Sequence, residues 1–115
     1  MSNRTVRVNA LVQREISDIL RKRYQSEAVA LTVTEVRVSP DLREGRVFVA
    51  VVGSEDFAAE RLRWLRRQAP LIREELAKRI VLKFLPRFEY VLDRSAARGA
   101  RLMTLLDQLD RGAKP

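Results

Sequence analysis

The apolar residues of this chain change period along its length, and that change bounds what it can fold into. Near the start, Val8, Leu11, Val12, Ile16, Ile19 and Leu20 recur at three- and four-residue spacing, the stripe of an amphipathic helix. Arg14, Asp18, Arg21 and Lys22 fall mostly off that stripe. The next segment, LTVTEVRVS, alternates instead: Leu31 and Val33, then Val36 and Val38, stand between polar neighbours. Parity slips between 33 and 36, so a β-bulge is expected there. Pro40, Asp41 and Gly45 punctuate a turn. RVFVAVV, nearly all apolar, suits a strand covered on one face and flanked by neighbours. The short connection makes the two strands an antiparallel hairpin.

Gly53-Ser54 closes the hairpin, and Ser54 is placed to cap a second helix. In that helix Phe57, Ala58, Leu62, Leu65 and Ala69 share one side, and Arg63, Arg66 and Arg67 share the other. Trp64 lies at the border, where packing against the domain is favoured over stacking on a base. Pro70 lacks an N–H and disfavours helical backbone at Ala69. Two helices are therefore expected to meet at a clear angle at Gln68, Ala69 and Pro70. The later one runs to about Leu82, with Ile72, Leu76 and Ile80 as its stripe. After Pro86, Phe88, Tyr90 and Leu92 alternate with Arg87, Glu89 and Val91 as a third strand. A last helix is capped by Ser95 and carries Leu102, Leu105, Leu106 and Leu109. Helices and strands in this order predict an α+β fold of two layers with a three-stranded sheet.

The 115 residues suffice for one domain with one core, expected over residues 1–110 with a short frayed end at 111–115. There is no Cys and no His, which removes thiolate and imidazole chemistry and the common metal ligands. The four glycines are scattered and form no phosphate-binding loop. These absences argue against an enzyme, a metal, a cofactor or a small-molecule substrate. No apolar run is long enough for a membrane span, so a cytoplasmic protein without a membrane partner is expected.

Charge is the second constraint. The formal net charge is +8, and residues 61–87 hold nine basic side chains against two acidic ones. Residues 1–60 hold nine of each sign. An imbalance confined to one stretch fits a surface that meets an anionic partner, nucleic acid first, because clustered cations neutralise phosphates. Nineteen of the 23 cations are Arg, whose planar fork matches phosphate oxygens, although a GC-rich genome would produce the same bias. The candidate RNA-binding side chains are Arg63, Arg66, Arg67, Arg73, Lys78, Arg79, Lys83 and Arg87. A solvated helix face is the competing reading. Glu60 with Arg63, Glu74 with Lys78 and Glu75 with Arg79 have pairing distances along a helix, which leaves Arg66, Arg67, Lys83 and Arg87 without a local acidic partner. Arg61 and Arg73 lie nearer the apolar side and can lay their stems over the core.

Three stretches together resemble the ribosome-binding factor A family, across nearly the whole chain. They are VTEVRVSPDLREGRVFVAVV, with Ser39, Asp41 and Leu42 at the turn; LIREELAKRIVLKFLPRFEYVLD, with Ile72, Arg73, Leu76, Pro86 and Asp93; and Asp93-x-Ser95 followed by Gly99 and Arg101-Leu102. The resemblance implies a type II KH-like domain in the order αββααβ plus a C-terminal helix. It implies a monomeric, non-enzymatic assembly factor that binds the immature small ribosomal subunit and its rRNA late in maturation. Gln68, Ala69 and Pro70 stand where the family has an Ala-x-Gly interhelical kink, so phosphate contact there shifts from backbone to the neighbouring arginines. The alternatives are a protein-interaction module and a DNA-binding protein of KH-like fold.

Overall fold

The computed structural model describes residues 3–94. The chain forms α1 (Asn3–Arg23), β1 (Leu31–Val38), β2 (Glu44–Val51), α2 (Glu55–Arg79) and β3 (Arg87–Leu92). The sheet order is β1-β2-β3. β2 runs antiparallel to β1 and parallel to β3, so the nearly all-apolar segment is the central strand. Parallel neighbours need a crossover, and α2 supplies it. The inward side chains of the sheet (Val33, Val36, Val47, Val49 and Tyr90) are buried, while Arg37, Arg46 and Glu89 on the opposite face are exposed. Both helices therefore cover one face. Val12 and Ile16 of α1 and Leu65, Ile72 and Leu76 of α2 fill the layer between. The α+β two-layer class read from the periodicity is the fold observed.

The slip in β1 is a bulge, with Val33 opposite Val49 but Glu35 opposite Phe48, so Thr34 is the extra residue. The Thr34 hydroxyl donates to Asp93 and lies 3.2 Å from the Phe48 carbonyl. Gln13 of α1 donates to the carbonyls of Val33 (3.2 Å) and Thr34 (3.3 Å), and Asn9 accepts from the Val38 N–H at 2.9 Å. In the β1–β2 turn the Ser39 hydroxyl donates to Asp41 at 2.6 Å and accepts from the Glu44 N–H at 3.1 Å. That network holds Leu42 at φ 60, a left-handed backbone that few non-glycine residues adopt.

Around Pro70 the structure departs from expectation. The two helices expected to meet at Gln68, Ala69 and Pro70 are one helix of 25 residues, with Pro70 inside it. The order among the described residues is thus α, β, β, α, β. The physical reason is the apolar stripe. Leu65, Ala69, Ile72, Leu76 and Ile80 recur at steps of four, three, four and four, so the buried face keeps one direction through the proline. Proline in a helix interior costs about 3 kcal/mol, and burial of Leu65, Ile72 and Leu76 against one layer is worth more, at about 1.5–3 kcal/mol for each. The helix also stops earlier than about Leu82. Ile80 is extended (φ −118, ψ 128), and its N–H still bonds the Leu76 carbonyl at 3.0 Å. Ser54 caps the other end, accepting from the Phe57 N–H at 3.1 Å. The last helix read from Ser95 and Leu102 to Leu109 lies outside the described residues.

A continuous helix has a direct consequence for Pro70→Ala. The new N–H can donate to the Arg66 carbonyl, the ring is removed, and stability should rise by on the order of 1–3 kcal/mol. A midpoint raised by several degrees in thermal unfolding is expected; a lowered midpoint would mean the chain truly breaks there.

Candidate nucleic-acid interface

The geometry of α2 sorts its cations into three groups, because 3.6 residues per turn fixes which side chains share a face. Arg63, Arg67 and Lys78 lie opposite Leu65, Ile72 and Leu76 and are exposed. They have no ion-pair or hydrogen-bond partner among the described residues. Of the three local pairs in the solvated-face reading, Glu75 with Arg79 forms at 3.5 Å. Glu60 turns to Arg61 at 3.6 Å instead.

The second group faces β3. Arg66 donates from Nε (3.2 Å) and Nη2 (2.9 Å) to the Tyr90 carbonyl. Arg87 and Asp93 donate their N–H groups toward β2, so Tyr90, of opposite parity, turns its carbonyl to the free edge. Arg73 reaches the segment leading into β3, donating to the carbonyls of Pro86 at 2.6 Å and Leu85 at 2.8 Å. The third group faces α1. Arg61 is only 18% exposed at its side chain; its guanidinium lies 5.3 Å from the Trp64 ring centre and 5.6 Å from that of Phe57, and donates to the Glu27 carbonyl. Trp64 itself packs edge-on against Tyr24, with ring centres 5.2 Å apart. Arg79 bonds Asp18 at 2.7 Å and Glu15 at 3.3 Å, both on α1.

Between α2 and β3 runs a groove of about 510 Å³, lined by Arg66, Ala69, Pro70, Arg73, Leu76, Arg87, Phe88 and Tyr90. Three guanidiniums and no carboxylate line it, so its field is positive. Pro70 and Ala69 form part of its wall; Gln68 does not line it. Arg87, one of the three guanidiniums, and Lys83, which is not part of the lining, are exposed and have no acidic partner among the described residues. Burial pushes the Tyr90 hydroxyl well above the usual phenol range, so it stays neutral. The groove thus gathers Arg66, Arg73 and Arg87 from the candidate set, while Arg79 is drawn into the helix–helix contact. Sequence reasoning missed the contribution of Phe88 and Tyr90 to the wall. Their alternation marked them as sheet residues without showing that β3 is an edge strand. No group of three or more potential metal ligands occurs among the described residues, and no described helix is long and apolar enough to cross a membrane.

Fold and groove together define a small two-layer α+β domain that presents a cation-lined cleft between a long helix and an edge strand. The family model for ribosome-binding factor A matches residues 4–106. The chain belongs to that family of ribosome-binding factors. It is 61% identical over 115 residues to ribosome-binding factor A of Opitutus terrae, covering 100% of this chain and 94% of that relative. With the Akkermansia muciniphila protein of the same description it shares 40% over 111 residues, covering 96% and 88%. The crystal structure of ribosome-binding factor A from Thermus thermophilus superposes with a TM-score of 0.69 at 27% identity, over 78% of this chain and 97% of that one. A homology model of the Thermus thermophilus factor, as fitted into a cryo-EM map of a 30S–RbfA complex, gives a TM-score of 0.62 at 29% identity, over 75% and 91%.

The Arg79 contact has a pH signature. Asp18 accepts from Arg79, Lys22 and Arg21, and these cations lower its pKa from 3.8 to about 2. A carboxylate depressed in the folded state adds stability above its unfolded value. That contribution is present above pH 3.8 and is lost as pH falls toward about 2. Asp18→Asn is expected to flatten the acid limb of stability over that window, read as thermal midpoint against pH.

Proposed function

We propose that this protein binds the immature small ribosomal subunit and contacts its rRNA late in maturation, as a monomeric, cytoplasmic, non-enzymatic assembly factor. On this reading residues 1–110 act as one RNA-binding domain, without a cofactor or a small-molecule substrate. The observation that carries it is the groove with three guanidiniums and no carboxylate, beside the outward stripe of Arg63, Arg67 and Lys78. Kinship with a family of ribosome-binding factors, and a relative fitted into a 30S complex, support the choice of RNA over other polyanions.

Within this function the cations divide. Arg63, Arg67, Lys78, Lys83 and Arg87 make phosphate contacts with their whole guanidinium or ammonium. Arg66 and Arg73 contribute charge and their remaining N–H groups from fixed positions. Arg79 contributes to the fold more than to binding. Contacts of this kind read backbone shape with little base-edge readout. By binding one rRNA conformation better than another, the protein shifts the population toward it without energy input.

The test is co-sedimentation with purified small subunits at several salt concentrations. Arg63→Ala, Arg67→Ala and Arg87→Ala combined should leave the thermal midpoint nearly unchanged, since exposed substitutions usually alter stability by within about 0.5 kcal/mol. The salt slope of binding should fall by about one for each phosphate no longer neutralised. An Arg4→Ala, Arg7→Ala variant on α1 serves as control. Equal binding to large subunits, or weakened binding in the control alone, would overturn this assignment.

A further inference from the structure

The segment from Ile80 to Pro86, between α2 and β3, is anchored at both ends. Ile80 and Pro86 are buried, and Leu82 and Leu85 pack against the core. Arg73 ties down the carbonyls of Leu85 and Pro86. The loop is therefore held in place, yet two of its apolar side chains face water. Val81 is 100% exposed and Phe84 72%. Single exposed apolar residues are ordinary on protein surfaces. A whole aromatic ring on a pinned loop is less so, and its surroundings are charged. The Lys83 ammonium lies 5.7 Å from the Phe84 ring centre, and Phe84 directly precedes the carbonyls held by Arg73, one of the groove's guanidiniums.

We propose that Phe84 is a stacking platform for an unpaired rRNA base, with Lys83 placed for the phosphate of the same or the adjoining nucleotide. This rests on the ribosomal reading above and adds to it a contact with a base. The chemistry favours RNA over a protein partner. An apolar pocket on a protein would have to desolvate Lys83 beside the ring. A nucleotide instead offers a flat π-face to the ring and an anion to the ammonium. Every base has such a face, so the contact selects for an unpaired nucleotide rather than for a sequence.

Stacking and phosphate contact differ in their salt dependence, which makes the proposal testable with the full chain and purified small subunits. Phe84→Ala should weaken binding by about 5- to 150-fold at fixed salt, the range expected when one base stack is removed. Its salt slope should stay that of the unsubstituted protein, whereas Lys83→Ala should lower the slope by about one. Phe84→Trp should bind as well as the unsubstituted protein, and its added fluorescence should be quenched on the subunit, with the Trp64 signal of the unsubstituted protein as reference. Phe84→Leu keeps an apolar side chain without a π-face and should bind like the Ala variant. Full affinity in Phe84→Leu, with no quenching in Phe84→Trp, would place the ring on a ribosomal protein and overturn the proposal. Wild-type affinity in Phe84→Ala would remove the stack alone. Failure of the unsubstituted chain to bind small subunits would remove the ribosomal reading and the stack with it. Quenching in Phe84→Trp is read independently of any loosening of the loop in the Ala variant.

Discussion

A sheet of three strands has two edges, and closing them governs much of the rest of this molecule. An open edge presents unpaired backbone groups to any passing strand. Here each edge is met by side chains of the helix that lies beside it. Asn9 and Gln13 of α1 satisfy the N–H of Val38 and the carbonyls of Val33 and Thr34 on β1. Arg66 of α2 occupies the Tyr90 carbonyl on β3. These contacts also set where the helices lie along the strands, because apolar packing is non-directional and hydrogen bonds are not.

The same requirement decides which cations are available to a partner. Helix α2 carries cations on three sides, and each side meets a different neighbour. Toward α1 the guanidinium of Arg79 answers the carboxylates of Asp18, Glu15 and Glu75. Toward β3 the guanidiniums of Arg66 and Arg73 answer carbonyls, which leaves their positive charge uncancelled. Toward solvent Arg63, Arg67 and Lys78 meet no partner among the described residues. The seven cations of α2 therefore divide into two met by acids (Arg79, and Arg61 beside Glu60), two tethered to carbonyls but still charged, and three without a partner among the described residues.

Much of the fold was legible because it depends on periodicity. The stripe from Val8 to Leu20, the alternation and slip of β1, the Ser54 cap and the alternation of β3 were all read from local spacing. Pro70 misled because a strong local preference competed with a long-range pattern. The stripe from Leu65 to Ile80 keeps its direction through the proline, and packing of both flanks on one layer prevailed. The site was less legible. Arg66 and Tyr90 are 24 positions apart, and the acceptor is a backbone carbonyl, which every residue has. Arg79 and Asp18 are 61 positions apart, and the local partner Glu75 already explained the charge. Nothing in the spacing of Val81 and Phe84 distinguishes them from Leu82 and Leu85, which turn inward.

Tethering also changes the entropy of the groove. A free arginine samples many rotamers, and immobilising such a side chain on a ligand costs about 0.5–1.5 kcal/mol. Arg66 and Arg73 have already given up that freedom, because the Tyr90, Leu85 and Pro86 carbonyls hold their guanidiniums in the folded state. An anion entering the groove meets two cations that need no further ordering, while the free stripe on the outer face must still be ordered on contact. The groove is preorganised and the stripe adaptable: one helix offers a rigid anchorage and a compliant fringe.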